Sequence, residues 1–234
     1  MKKIKAVLFD LDGTLRHHLP SGADVFFARA IEMGLLFSEE DKTRASRWEH
    51  YYFAHSPEIQ KDIKEFADDG FWVNYSRRKL IALGCQPQKA ASFSGSLSAY
   101  MKDHYRPEVH VPEDSRILLD SLQNDGYILG VITNRDEPIH EELINLNLDS
   151  YFSFSLAGGE VKSFKPDTLI FDHGLKKAGV HASEAMYVGD NYFADVIGSH
   201  RAGLTPVLYD PEFLFPEAEC AVIRSFAELP ELLK

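Results

Sequence analysis

From residue 111 onward, short apolar runs alternate with stretches of helical period, and no other feature of the chain constrains its fold as tightly. "YILGVIT", "YFSFSLA", "AMYVGD" and "TPVLY" read as strands, as does "AVLF" at residues 6 to 9. Between them, "SRILLDSLQNDG", "EPIHEELINLNL", "PDTLIFDHGLKKAG" and "NYFADVIGSHRAG" space their apolar residues as helices do. Gly126, Gly179 and Gly203 stand where helices stop, Pro138 is tolerated in a first turn, and "FAELPELLK" reads as a last helix. Strand then helix, repeated, predicts an α/β fold: a doubly wound, Rossmann-like parallel sheet covered on both faces. Strands of such a sheet are apolar on both sides, as "AVLF", "YILGVI" and "MYV" are.

Residues 17 to 108 break that rhythm. "ADVFFARAIEMGLL", "SEEDKTRASRWEHYYFAH", "SPEIQKDIKEF", "FWVNYSRRKLIALG" and "QKAASFSGSLSAYMKDHY" read better as helices, and Ser38 followed by acids suits an N-cap. The expected organisation is a core of residues 1–16 and 109–234 with an inserted all-helical domain at 17–108. Pro107 and Pro112 mark the linker by which the chain returns.

Composition limits the partners. At 234 residues, 44% hydrophobic and 26% charged, the chain is ordinary globular protein with room for one large core and a companion. A formal net charge of -11 disfavours nucleic acid and anionic membrane, so an anionic substrate would need local positive charge in its site. Cys85 and Cys220 lie far apart with no metal-ligand spacing, which suits reduced thiols in the cytoplasm. The basic start "MKKIKAVLFDLDG" turns apolar too briefly for a signal-peptide core, and no segment approaches the ~20 apolar residues of a membrane span. A soluble cytoplasmic protein is the expectation.

In a doubly wound sheet, ligands bind beyond the carboxyl ends of the strands. Asp10 and Asp12 follow "AVLF", Thr133 and Asn134 follow "YILGVI", Lys165 precedes the "PDTLIF" helix, and Asp190 and Asp195 follow "MYV". Taken singly, an Asp there can be a helix N-cap, Thr133 and Asn134 turn residues, and Lys165 a solvated charge. Together they form a set that phosphoryl transfer needs. Asp10 and Asp12, two carboxylates one residue apart, repel unless a positive charge sits between them or a proton sits on one. Mg2+ takes oxygen ligands such as carboxylates, here Asp10 and Asp190 with Asp195 in support, directly or through water. Lys165, Thr133 and backbone N–H groups around Leu11 to Thr14 can face the charge that develops on a transferring phosphoryl group. One aspartate can attack phosphorus while the other moves protons.

These residues resemble the haloacid dehalogenase-like hydrolases, whose pattern reads here as "DLDGT", Thr133 in "VITN", Lys165 in "FKPD" and "GDNYFAD". The insertion between the first and second motifs is similar to the helical cap of subfamily I. The resemblance implies Asp10 as nucleophile, Asp12 as general acid/base, and Thr133 and Lys165 as phosphate binders, and Asn134 next to Thr133 is a further candidate phosphate-binding residue. It implies Mg2+ on Asp190, Asp10 and the backbone carbonyl of Asp12, with Asp195 as the second acid of the last motif. It also argues against a dehalogenase, since those relatives lack an acid at the position of Asp12, and a departing halide needs no proton. Thr168 replaces a frequent Pro, and Arg16, His17 and His18 follow "DGTL" where fewer bases are usual.

The resulting expectation is a Mg2+-dependent phosphatase of a small phosphorylated metabolite. A phosphomutase of the beta-phosphoglucomutase kind is the alternative enzyme, and a non-catalytic small-ligand module the alternative outside catalysis. Arg135 is expected to lend positive potential beside the phosphate. Aromatics of the insertion, such as Trp48 and Tyr52, suit core packing better than recognition. Oligomeric state is not readable from the sequence.

Overall fold

The computed structural model describes residues 3–234, so Met1 and Lys2 of the basic N-terminal stretch lie outside it. In chain order come β1 (Ala6–Phe9), β2 (His17–Leu19), α1 (Gly22–Glu32), α2 (Glu39–Phe53), α3 (Pro57–Glu65), α4 (Asp68–Ala82), α5 (Pro87–His104) and β3 (Glu108–His110). There follow α6 (Glu113–Asn124), β4 (Ile128–Thr133), α7 (His140–Asn145), β5 (Phe154–Ala157), α8 (Gly158–Val161), α9 (Thr168–Ala178), β6 (Ala185–Gly189), α10 (Ile197–Arg201), β7 (Thr205–Tyr209) and β8 (Ala221–Ile223). The chain forms two compact units, one ending at His17 and resuming at His110, the other His18–Val109.

The first unit is built on a six-stranded sheet of order β5-β4-β1-β6-β7-β8. Every pairing in it is parallel. Alternation along each strand sends successive side chains to opposite faces. Val7, Phe9, Leu129, Val131, Met186 and Val188 pack with Leu118, Leu119 and Leu122 of α6 and with Phe226 and Leu229. Ala6, Leu8, Ile132 and Tyr187 pack on the other face with Ile170, Phe171 and Leu175 of α9. Both faces are covered, which is why the strands carry no polar alternation. The central position of β1 is what puts the residues just after it in the middle of the crevice.

Several elements differ from the sequence reading for identifiable reasons. The helix expected from "EPIHEELINLNL" reaches only His140–Asn145: Pro138 lies before its first turn rather than in it, and at the other end the chain turns away at Asn147, which has φ +53°. "FAELPELLK" forms 3-10 turns over Phe226–Leu233, with Pro230 inside and unable to donate an α-helical hydrogen bond. "NYFADVIGSHRAG" opens as a π-helical turn, Tyr192–Val196, before α10. The Pro107 to Pro112 linker contains β3, which pairs with β2 in a two-stranded sheet where the chain passes between the units. β8 was not foreseen, since "AVI" is too short to show a period.

The second unit is helical. Ser21, Ser38 and Ser56 cap α1, α2 and α3, and Ser38 with Asp41 completes a capping box worth about 1 kcal/mol. One apolar cluster joins Phe26, Phe27, Leu35, Leu80, Leu83 and Leu97. In a second, Trp48 stacks on Tyr52 at 4.9 Å, beside Tyr75 and Ile59. This interior also buries charge. Lys79 is 1% exposed and donates to Glu49 Oε2 at 2.7 Å. Asp62 is fully buried and accepts from Arg78 Nη2 at 2.9 Å and from the Tyr52 hydroxyl at 3.0 Å.

Candidate active site

The site lies wholly within the sheet-containing unit. Asp10 follows β1 and is buried, with its backbone N–H donating to Val188 O at 2.9 Å. Lys165 Nζ, also buried, donates to Asp10 Oδ1 at 2.6 Å, to Asp195 Oδ1 at 2.6 Å and to the Tyr187 hydroxyl at 3.0 Å. The Tyr187 hydroxyl in turn donates a hydrogen bond to Ile132 O at 2.8 Å, so the ammonium sits in a fixed cradle. Asn134 fixes the backbone beneath it: its Oδ1 accepts from Lys165 N at 2.6 Å and its Nδ2 donates to Lys165 O at 2.9 Å. Both ends of that amide are therefore engaged by Lys165. Thr133 ends β4 as a buried side chain.

Asp190 follows β6, and Thr14 ties it to the first turn by donating to Asp190 Oδ1 at 3.1 Å and accepting from Asp190 N at 3.0 Å. Asp195 turns back toward β6 through the π-helical turn, where Asn191 accepts from Phe193 N and Ala194 N at 3.0 Å and Asp195 Oδ2 accepts from Asn191 N at 2.9 Å. Two glycines make room for these carboxylates. A Cβ on Gly13, which has φ +89°, would lie 2.4 Å from Asp190 Oδ2, and one on Gly189 would lie 2.4 Å from Asp195 Cγ.

Asp10, Asp190 and Asp195 bring carboxylate oxygens within 4.8 Å of one another. Burial pushes the Asp10 carboxyl well above its ordinary range; Lys165 opposes this while Asp195 and Asp190 add to it. Asp190 is pushed up to about 7 by burial and by the Asp195 charge, against the pull of Lys165 and Thr14. Burial alone would lower Lys165, but Asp10 and Asp195 hold it well above the ordinary lysine value. One ammonium faces three carboxylates, all hard oxygen donors, so the residues fit a divalent cation such as Mg2+.

Asp12 stands apart from this cluster. Its carboxylate is 42% exposed and is bound by two guanidiniums: Arg135 Nε reaches Oδ2 at 2.7 Å, Arg135 Nη2 reaches Oδ1 at 2.8 Å, and Arg16 Nη1 reaches Oδ1 at 2.7 Å. Surrounding protein would raise its pKa, but the Arg135 hydrogen bonds and charge, with Arg16, outweigh that and hold it below the usual value. The metal role that the resemblance gave Asp12 rested on its backbone carbonyl, and its side chain takes no part in the three-acid group. Arg135 lies on Asp12 and Glu142. Of the bases that follow "DGTL", His17 contacts Thr14 O at 2.8 Å, whereas His18 packs edge-on to Tyr105 within the helical unit.

Arg16, one of the unusual bases after "DGTL", joins the surroundings through Asp12, and the side chains of Thr14, Glu142, Tyr187 and Asn191 complete them without having stood out in the sequence. Tyr187 left one signal, a phenol inside an otherwise apolar buried strand. Glu142 left none, since an acid in a first helical turn is commonplace.

Comparison with known proteins agrees with this architecture. The family model for haloacid dehalogenase-like hydrolases matches residues 70–208. A ribulose-1,5-bisphosphate 5-phosphatase of Halopiger xanaduensis is 30% identical over 210 residues, spanning 88% of this chain and 84% of that one. A glyceraldehyde 3-phosphate phosphatase of Pyrococcus furiosus is 28% identical over 243 residues, 100% of this chain and 93% of the relative. Among solved structures, a 2-haloacid dehalogenase of Pseudomonas syringae superposes with a TM-score of 0.55 at 25% identity, covering 98% of both chains. The chain belongs to the haloacid dehalogenase-like hydrolase family and is a hydrolase.

Proposed function

We propose that this protein is a Mg2+-dependent phosphatase that hydrolyses a small phosphomonoester through an aspartyl phosphate on Asp10. The observation that carries this reading is the pairing of a buried, Lys165-bound Asp10 inside a three-acid group with a second, half-exposed carboxylate on Asp12. A dehalogenase has no use for that second acid, whereas an alkoxide leaving group does. The names of the two sequence relatives, both phosphatases of small sugar or triose phosphates, support the same substrate class.

In this mechanism an oxygen of Asp10 attacks phosphorus, and Asp12, whose arginine partners favour its ionised form in the free enzyme, takes up a proton as substrate binds and gives it to the departing ester oxygen. Asp12, now ionised, takes a proton from water as that water attacks the aspartyl phosphate, releasing inorganic phosphate and restoring Asp10. Lys165 orients Asp10 and opposes the burial that raises its carboxyl, and Asn134 holds the Lys165 backbone in place. Thr133, at the end of β4, and Lys165 are the proposed phosphate contacts. Asp10, Asp190 and Asp195, with the Asp12 carbonyl, would hold Mg2+, which when bound supplies charge neutralisation between the acids and the incoming phosphoryl group. Free thiols at Cys85 and Cys220 support a cytoplasmic location. No helix among the described residues is long and apolar enough to cross a membrane.

Phosphate release from a panel of phosphomonoesters tests the reading, with ribulose 1,5-bisphosphate and glyceraldehyde 3-phosphate included. Release should require Mg2+ and vanish in Asp10→Asn and with a chelator. An isomerised sugar phosphate without free phosphate would indicate a mutase instead.

A further inference from the structure

Around Asp12 the charges close into a ring. Arg135 and Arg16 each bind Asp12, and each also binds Glu142: Arg16 Nε forms an ion pair with Glu142 Oε1 at 2.7 Å, Arg135 Nη2 donates to the same oxygen at 3.3 Å, and Arg135 Nη1 pairs with Oε2. Two cations and two anions thus alternate, contributed by the turn after β1, the residues just past β4, and α7. Side-chain exposure is 14% for Arg16, 27% for Glu142, 30% for Arg135 and 42% for Asp12, so the ring is half-buried and only partly screened by water.

Glu142 touches no carboxylate of the site, yet both guanidiniums depend on it. Without a second anion, two arginines would crowd one aspartate and repel each other, and each would gain by swinging toward solvent. A half-exposed Asp in a turn then loses the bidentate contact that selects one orientation of its carboxylate. We propose that Glu142 is a positioning residue for the hydrolytic reaction, anchoring Arg16 and Arg135 so that they fix the Asp12 carboxylate where it exchanges protons with the leaving oxygen and the attacking water. This inference rests on the phosphatase reading. Proton transfer by a placed side chain is worth about 10²–10⁴-fold, and it is lost steeply with small misplacement, so Glu142 should carry part of that factor.

The test compares an alkyl phosphomonoester, whose leaving group needs a proton, with p-nitrophenyl phosphate, whose leaving group hardly does. Wild type, Glu142→Gln, Asp12→Asn and the double variant are assayed with each ester in saturating Mg2+. Glu142→Gln should lower kcat for the alkyl ester by about 10-fold or more, leave KM within about 2-fold, and lower kcat for p-nitrophenyl phosphate much less. In the Asp12→Asn background it should cause no further loss. Arg16→Gln, a milder change that leaves the Arg135 contact intact, should show the same pattern with smaller losses. Equal losses with both esters, additive losses in the double variant, or a rise in KM alone would overturn the proposal while the wild-type phosphatase activity stood. Wild-type protein that releases phosphate from neither ester nor any metabolite would instead overturn the reading beneath it.

Discussion

Replacing Lys165 by Met should expose how tightly the acidic cluster depends on one ammonium. Lys165 is 2% exposed and lies 2.6 Å from Asp10 and 2.6 Å from Asp195, and methionine fills much of its volume without its charge. Removing one partner of a buried ion pair costs roughly 3–5 kcal/mol, and two carboxylates lose their partner here, so the upper part of that range is expected near pH 8 without divalent metal. The loss should depend on pH with a definite sign. Asp10 and Asp190 already lie above their unfolded values, and without Lys165 they rise further. A carboxyl raised in the folded state contributes stability that is full below its unfolded pKa and is lost as pH climbs through its folded pKa. If the variant's folded state keeps one extra proton, it falls behind wild type by about 1.4 kcal/mol per pH unit, or roughly 3 kcal/mol between pH 5.5 and 8.

Urea unfolding in chelator at several pH values measures this. Both tryptophans, Trp48 and Trp72, belong to the helical unit, so far-UV circular dichroism is the required probe for the sheet. Saturating Mg2+ should recover part of the loss at pH 8, because the same carboxylates then gain a cation. Stability curves of variant and wild type that run parallel from pH 5.5 to 8, or a loss below about 1 kcal/mol at pH 8, would refute the reasoning.

Two further outcomes follow from the same electrostatics. With Asp190 pushed up to about 7, protons compete for the proposed metal site below neutrality. Mg2+ at a hundredfold excess over Kd stabilises by about 2.7 kcal/mol, so the Tm gain should be roughly 5–10 °C at pH 8 and shrink toward zero by pH 5.5; a gain independent of pH would count against the raised carboxyl. In the helical unit, burial would raise Glu49, but Lys79 holds it below its ordinary value. That contribution is present above the unfolded pKa and disappears as pH falls through the folded one, so Lys79→Met should cost roughly 2–4 kcal/mol at pH 7 and less near pH 4. Trp48, stacked on Tyr52 and 5.9 Å from the Tyr75 ring, makes tryptophan fluorescence the direct readout.

What the sequence made legible was local. The apolar runs of β1, β4, β5, β6 and β7 showed themselves because both faces of the sheet are covered, and Asp10, Lys165, Asp190 and Asp195 showed themselves because each follows or precedes such a run. Partners that meet only through the fold stayed hidden. Asn134 reads as a turn residue until its amide is seen spanning the Lys165 backbone, and Gly189 reads as a strand end until Asp195 is seen filling the space of its absent Cβ. The largest refinement concerns Asp10 and Asp12. Their proximity in sequence suggests a positive charge between them or a proton on one, and the structure gives each its own counter-charge: Lys165 for the buried carboxylate, Arg16 and Arg135 for the half-exposed one. Separate counter-charges resolve the repulsion without making the two acids equivalent. The deeper carboxylate is left among Asp190 and Asp195, as the proposed nucleophile requires, and the shallower one is left tethered at a half-exposed position, as the proposed acid/base requires.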